Sequence, residues 1–377
     1  MKNLFLLDPK VTFLNHGSYG ACPASVFEDY QSWQKQLEQQ PVQFLTDYLW
    51  KNLKSSRQYL GQYINCSEKD LLLFPNPTTA VNNIIDNLPL TNGDEVLMTQ
   101  HEYGALVRAW SVASEKNKFK IVQKEIAMPV KKRRDFIDQF WSGVNSNTKV
   151  IFISHITSQT ALIFPVEEIC RLAKKSGIIT IVDGAHVPGH INLDLNKIDC
   201  DYYTGACHKW LCAPKGASFL YVRQELQNNM IPQTVSWGED GEDPGPTQFL
   251  MNFQWQGTRD MSAFLSIPAA IKFVTSSKWK KQQLISKDII LETSHELQSL
   301  LKTEPIFIGK EWIGQMVSHP LPIGTPETLK HSLWKEYLIE VPIFEWKNQK
   351  FIRVSVQCYN DRKDIKKLMY ALEKLLF

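Results

Sequence analysis

Short apolar runs separated by amphipathic stretches set the rhythm of this chain. Residues 95–98 (EVLM), 119–122 (FKIV), 150–154 (VIFIS), 178–182 (IITIV) and 217–222 (ASFLYV) are brief and nearly all apolar. Such runs predict strands buried on both faces. Helical patterns lie between them. In PVEEICRLAKK (165–175), Pro165 suits the first helical position. Glu167 and Glu168 suit the positive end of that helix, and Lys174 and Lys175 its negative end. Strand, helix and strand in repetition predict an α/β fold whose mostly parallel sheet is covered on both faces. Ligands of such sheets bind beyond the carboxyl ends of the strands. Chemistry is therefore expected just after each strand.

The pattern changes after about residue 265. Residues 286–302 and 361–376 predict amphipathic helices. Residues 339–344 and 351–356 predict strands, with a turn at Lys347-Asn348. A smaller α+β domain is expected there, and 377 residues suit one large domain plus a smaller one. Hydrophobic residues at 43% and charged residues at 21% exclude bulk disorder. Forty-two Lys and Arg against 39 Asp and Glu leave +3, too little to argue for nucleic acid or an anionic membrane as partner. No apolar run approaches the roughly 18 residues that span a bilayer. Asp8 and Pro9 interrupt the first apolar patch too early for a secretory segment. The basic run Lys131–Arg134 reads as a solvated loop. Seven scattered cysteines, an odd number, read as reduced thiols in a cytoplasmic protein.

The richest segment is IITIVDGAHVPGHINLDLNKIDCDYYTGACHKWLCAPKG (178–216). Asp183 ends a strongly apolar strand, where a carboxylate needs a partner. It either caps a helix begun by Gly184 and Ala185 or faces a ligand cation. Lys209 follows a further apolar strand and a small-residue turn, Thr204-Gly205-Ala206, and is flanked by His208 and Trp210. A lone Lys is usually a surface charge. At a strand end beside aromatics it can be a depressed-pKa amine nucleophile. The pair Asp183 and Lys209 suits pyridoxal phosphate, which is held as a lysine Schiff base with a carboxylate at its pyridine nitrogen. The cofactor's phosphate needs amides at a helix start, with hydroxyls. FPNPTTAVNNIIDNL offers them at Thr78 and Thr79, placed in the turn before an apolar helix, although Thr there could equally be a plain cap. A metal site is the competing class. His186, His190, Cys200, Cys207, His208 and Cys212 cluster, but lack the combined H-x₃₋₅-H and C-x-x-C spacing of structural zinc.

With these residues in view, the sequence resembles class V aminotransferase-fold enzymes, fold type I of the pyridoxal phosphate superfamily, and within them the isopenicillin N epimerase-like branch. The carriers are FLNHGSYGACP, NPTTAVN, HEYGALVRAW, SHITSQTALIFP, VDGAHVPGHINLDL, DYYTGACHKWLCAPKGASFLYV, VSWG, QGTRD and EVPIF…FIRVSVQCYN, spread over nearly the whole chain. The resemblance implies a three-layer large domain (21–265), a small α+β C-terminal domain (266–377), and an N-terminal segment (1–20) lining the active site.

It also implies roles. Lys209 would carry the cofactor, Asp183 would face the pyridine nitrogen, and His186 would lie near the phenolic oxygen. Thr78, Thr79 and His208 would hold the phosphate. Gly257 and Thr258 would reach the phosphate in the neighbouring subunit of a homodimer. Tyr103 or His101 would stack on the ring, with Tyr103 preferred. Ser158 and Gln159 would fall near the phenolic oxygen and the substrate amino group. Asn15, His16 and Gly17 would line the substrate mouth. Arg353 would clamp the substrate α-carboxylate; an Arg inside the apolar FIRVSV is costly unless something pairs with it. Trp237 is expected to pack, outside the site.

The reaction expected is epimerisation at the α-carbon of an amino acid, through a carbanion delocalised into the ring. A β-elimination or C–S lyase is the alternative, and a metal-binding or non-catalytic protein the remaining class. Cysteine desulfurases of similar fold carry a nucleophilic Cys ahead of the carboxylate-binding Arg. Here no Cys lies between Thr258 and Arg353, the corresponding stretch reads EYLIE (336–340), and Cys358 is expected to pack at a strand end.

Overall fold

The computed structural model describes residues 1–239 and 247–377. Among them the main sheet has seven strands: β1 (Leu71–Phe74), β2 (Glu95–Thr99), β3 (Lys120–Lys124), β4 (Thr148–Ser154), β5 (Ile179–Asp183), β6 (Tyr202–Ala206) and β7 (Ser218–Val222). Their order across the sheet is β1-β7-β6-β5-β4-β2-β3. Only β7 runs against its neighbours. The apolar runs divide by alternation. Leu71, Leu73, Ile151, Ile153 and Val182 enter one core, and Leu72, Phe74, Val150, Phe152 and Ile181 the other. A sheet buried on both faces cannot show polar alternation, which is why its strands read as unbroken apolar runs.

The expected strands fall within one or two residues of their places. One reading is corrected. Thr204-Gly205-Ala206 lies inside β6 and is no turn. Its small residues answer to packing, since a Cβ on Gly205 would come within 2.5 Å of the Phe219 ring and 2.8 Å of Pro188. Two polar-faced helices, Ala24–Gln39 and Leu49–Ile64, were not anticipated.

In the C-terminal part a second sheet has the order Ile343–Trp346, Gln349–Ser355, Met316–Pro320, all antiparallel. The stretch expected as one strand over 339–344 splits at Val341-Pro342. Ile339–Glu340 pairs in parallel with Thr12–Phe13, tying the N-terminal segment to this half of the molecule. Lys347 and Asn348 take φ of +49° and +60°, as a two-residue hairpin turn that matches strand twist requires. The helix expected from 286 starts earlier, as Ser277–Leu301, with the Ser276 side chain accepting from the Trp279 amide. The helix Ile267–Thr275 packs on Leu49–Ile64, so the two halves share a joint there. No helix among the described residues is long and apolar enough to cross a membrane.

Candidate active site

Strands β1, β2, β4, β5 and β6 all end on the same edge of the sheet, and the chemistry gathers beyond it. Asp183 closes β5. It is buried, and no helix follows it, so the capping alternative falls away. Its Oδ1 accepts from the Ala185 amide at 2.9 Å. Burial pushes its carboxyl upward, while that amide and Lys209 oppose the shift. Lys209 stands three residues past β6. Burial lowers its amine to about 8; Asp183 opposes this and Arg353 adds to it. Its Nζ lies 3.3 Å from His186 Nε2, and His186 Nδ1 accepts from the Trp210 indole at 3.3 Å. Burial holds His186 well below the ordinary imidazole range.

At the helix after β1, Pro77–Asp86, the cap is Asn76, so the two threonines sit inside the first turn rather than before it. Asn76 Oδ1 accepts from the Thr79 amide at 2.8 Å and the Thr79 hydroxyl at 3.1 Å. Thr78 is left with its hydroxyl uncommitted to the cap. His208 donates through Nδ1 to the Ala217 carbonyl at 3.0 Å, so its Nε2 is the nitrogen not spent on that bond.

The residues after β2 separate clearly. His101 is fully buried, stacked on Trp346 at 4.8 Å, with Nδ1 on the Thr160 hydroxyl at 2.9 Å. Tyr103 is 43% exposed and precedes the helix Gly104–Asn117. It lies within electrostatic reach of Arg353, whose guanidinium burial lowers to about 10. Glu102, between them, is a buried carboxylate that the sequence reading passed over. It accepts from Thr99 Oγ1 at 2.6 Å, the Ser154 amide at 2.8 Å and Ser154 Oγ at 2.6 Å. Burial raises it to about 7, and Asp183 adds to the rise.

Arg353 comes from the second sheet and is 5% exposed. Nη1 donates to the Ser158 carbonyl at 2.6 Å and Nη2 to Ser18 Oγ at 2.9 Å. No carboxylate lies within ion-pair distance among the described residues. Its Nε and Gln159 Oε1 have no hydrogen-bond partner among the described residues. Ser18 in turn donates to Asn15 Oδ1 at 2.5 Å. Gly17 packs tightly: a Cβ there would lie 2.6 Å from Met316 Sδ and force that side chain to shift. His16 is buried and braces the lysine: Nε2 donates to the Lys209 carbonyl at 3.1 Å and Nδ1 meets the Tyr359 hydroxyl at 2.8 Å. A Cβ on Gly20 would strike the His208 carbonyl at 2.1 Å. The N-terminal segment thus lies directly on the lysine's backbone.

Other residues fall elsewhere. Gly257 has φ of +104° with open space around it, and Thr258 is exposed. Trp237, expected to pack, is 78% exposed. Arg133 and Arg134 of the basic run are exposed but open the helix Arg133–Trp141 rather than lying in a loop. Cys358 is buried. His190 has both ring nitrogens engaged, Nε2 with the Gln315 amide at 2.6 Å and Nδ1 with the His186 carbonyl at 3.0 Å.

Asp183 and Arg353 are buried and Lys209 is half-buried, and none of the three has an ion pair among the described residues. Such groups are costly unless a ligand completes them. An acid for a ring nitrogen, an amine for an aldehyde and a guanidinium for a carboxylate fit pyridoxal phosphate carrying an amino acid. The class is thus a pyridoxal phosphate-dependent enzyme of fold type I.

The chain belongs to the class V aminotransferase family, whose model matches residues 21–368. It is 32% identical to the isopenicillin N epimerase of Amycolatopsis lactamdurans, over 98% of this chain and 96% of that protein. It is 26% identical to a probable chloroplastic L-cysteine desulfhydrase of Arabidopsis thaliana, over 98% of this chain and 84% of that protein. Among solved structures, the cystine C–S lyase C-DES in complex with cysteine persulfide superposes with a TM-score of 0.84. That match has 20% identity and covers 97% of this chain and 98% of the other. The shared fold is the one expected from the sequence.

Proposed function

We propose that the protein epimerises an amino acid at its α-carbon, in the manner of the isopenicillin N epimerases it resembles. The observation that carries this reading is a buried, unneutralised Arg353 close enough to Lys209 to depress its amine. One group offers a carboxylate clamp; the other offers an amine that, at about 8, sheds its proton far more readily than an ordinary lysine. Pyridoxal phosphate bound here supplies an electron sink that makes the substrate's α-hydrogen acidic. Lys209 would hold the cofactor and, once displaced by the substrate amine, take the α-proton at Nζ. Asp183 would keep the ring nitrogen protonated, and His186 would hold a proton beside the phenolic oxygen.

Thr78, Thr79 and His208 would hold the phosphate, helped by Gly257 and Thr258 of a second protomer in a homodimer. The exposed Trp237 suits a surface covered by a second copy; a sedimentation mass of one chain would argue against the dimer. Tyr103 is the stacking ring on this reading, since His101 is sealed behind the strand ends. Ser158 and Gln159 would meet the substrate's amino end, with Arg353 on its carboxylate. Asn15, His16 and Gly17 would shape the mouth, His16 by bracing Lys209. We read residues 21–265 and 266–377 as the two domains, with 1–20 bridging them. A cytoplasmic setting is supported by the unpaired state of all seven cysteines; a native disulfide would count against it.

A C–S lyase is the second reading, favoured by the desulfhydrase relative that spans nearly the whole chain. With no Cys between Thr258 and Arg353, sulfur would leave directly rather than as a persulfide on the protein. A panel of amino acids incubated in heavy water separates the two. Epimerisation gives α-deuterium with loss of optical purity and no keto acid. A keto acid with a released leaving group, and no racemised substrate, overturns the epimerase in favour of the lyase.

A further inference from the structure

Trp210 follows the lysine directly and is fully buried, yet its role in the site is unassigned. An indole nitrogen can only donate. It points at His186 Nδ1 from 3.3 Å, so that nitrogen must accept. A neutral imidazole that accepts at Nδ1 carries its proton at Nε2. Nε2 in turn lies 3.3 Å from Lys209 Nζ. We infer that Trp210 is a positioning residue: its indole N–H fixes His186 in the tautomer that aims an N–H at the Lys209 amine.

The consequence for Lys209 follows from donor counting. An ammonium has three donors and no acceptor, so it would set N–H against N–H across this contact. An uncharged amine offers a lone pair. The tautomer imposed by Trp210 therefore favours the uncharged, nucleophilic lysine. The other groups facing this pair are Asp183, which favours the charged amine, and Arg353, which opposes it. Around His186 the cations Lys209 and Arg353, with His190 and His16, all favour the neutral ring, in the same sense as burial.

The indole is itself held. It stacks on His190 at 3.9 Å with the planes 23° apart, and the His16 ring lies 4.9 Å away. His190 is fixed by the Gln315 amide and by the backbone of His186. Gly189 leaves room for this, since a Cβ there would lie 2.3 Å from the Trp210 carbonyl oxygen. A ring locked on one face and aimed at one nitrogen is a tautomer clamp. Removing the N–H frees His186 to protonate at Nδ1 and accept from a charged lysine.

This inference rests on reading Lys209 as the amine that captures the cofactor, and the test separates the two. Nitrogen NMR of the full chain freed of cofactor reads the His186 ring directly. The expected result is a proton on Nε2 in the native chain and transfer of population to Nδ1 in Trp210→Phe. In parallel, the rate of pyridoxal phosphate capture, fixed with borohydride, is followed against pH. Its midpoint should lie near 8 in the native chain and rise by about one unit in the variant, making capture at neutral pH about tenfold slower. Where Trp210→Phe does not fold, benzothienylalanine at 210 keeps the ring and deletes the donor. A native His186 protonated at Nδ1 overturns the clamp, as does a variant with an unmoved tautomer. A moved tautomer with an unmoved midpoint overturns the link to the amine. Capture at some other lysine overturns the role of Lys209 and leaves the ring measurement standing.

Discussion

Two cations close enough to feel one another, the half-buried Lys209 from the edge of the main sheet and the buried Arg353 from the second sheet, meet their surroundings in opposite ways. Lys209 faces a titratable neighbourhood: Asp183, His186 and, beyond them, Glu102. Arg353 donates its hydrogen bonds to neutral oxygens, from Ser158 and Ser18, and meets no carboxylate among the described residues. Burial lowers both, the amine to about 8 and the guanidinium to about 10. At neutral pH the same desolvation therefore leaves one group able to shed its proton and the other permanently charged. A removable charge sits where a proton must move, and a fixed charge sits where an anion must be held.

The sharpest way to break this contrast is to exchange the behaviours. Lys209→Ala should lower turnover on the order of 10⁴-fold, the upper range for a lost base, and borohydride should no longer fix the cofactor to the protein. Arg353→Lys keeps a positive charge but loses the planar fork. It should lower kcat/KM by about 10–100-fold, mostly through KM, in line with charge-assisted hydrogen bonds worth roughly 1.5–3 kcal/mol. Borohydride fixation should be unchanged in that variant. Equal losses in kcat for both, or lost fixation in Arg353→Lys, would show that the two cations do not divide the work this way.

Both cations could be read from the sequence, for different reasons. Asp183 and Lys209 stood out because strand ends are marked by apolar runs that stop at a charge. Arg353 stood out because nothing in FIRVSV accounts for a guanidinium. Their supporting groups were hidden. Ser18, which carries one arm of Arg353, lies 335 residues away in the chain. Trp210 looked like an aromatic flank, because the direction of an indole N–H is set only by tertiary approach. Glu102 passed as the middle of HEYG. At the level of fold, Met316–Pro320 was missed because His319 and Pro320 interrupt its apolar run. Ala24–Gln39 was missed because Val26 is its one buried residue, so no apolar stripe marks it. His101 and Tyr103 could not be told apart by spacing, since one turn of chain carries one into the core and the other into the open.

The last effect is on stability rather than turnover; it concerns Glu102 and bears on the titratable half alone. Three donors, from Thr99 and Ser154, suit an ionised carboxylate, yet burial outweighs them and raises the group to about 7. Between its ordinary unfolded value near 4.5 and that folded value, the native state holds a proton that the unfolded chain has lost. The contribution is thus complete below about 4.5 and lost as pH rises through about 7. Its size is on the order of 3 kcal/mol, since each pKa unit is worth about 1.4 kcal/mol. In Glu102→Gln the amide oxygen can keep both Ser154 donors while its nitrogen turns to Thr99 Oγ1, so the group stays neutral at every pH. Urea midpoints taken between pH 4 and pH 8 should converge or cross: the native chain loses stability relative to Glu102→Gln as pH rises. Parallel curves for the two proteins would mean that Glu102 is ionised throughout. The three donors would then prevail over burial, and the titratable neighbourhood of Lys209 would shrink to Asp183 and His186.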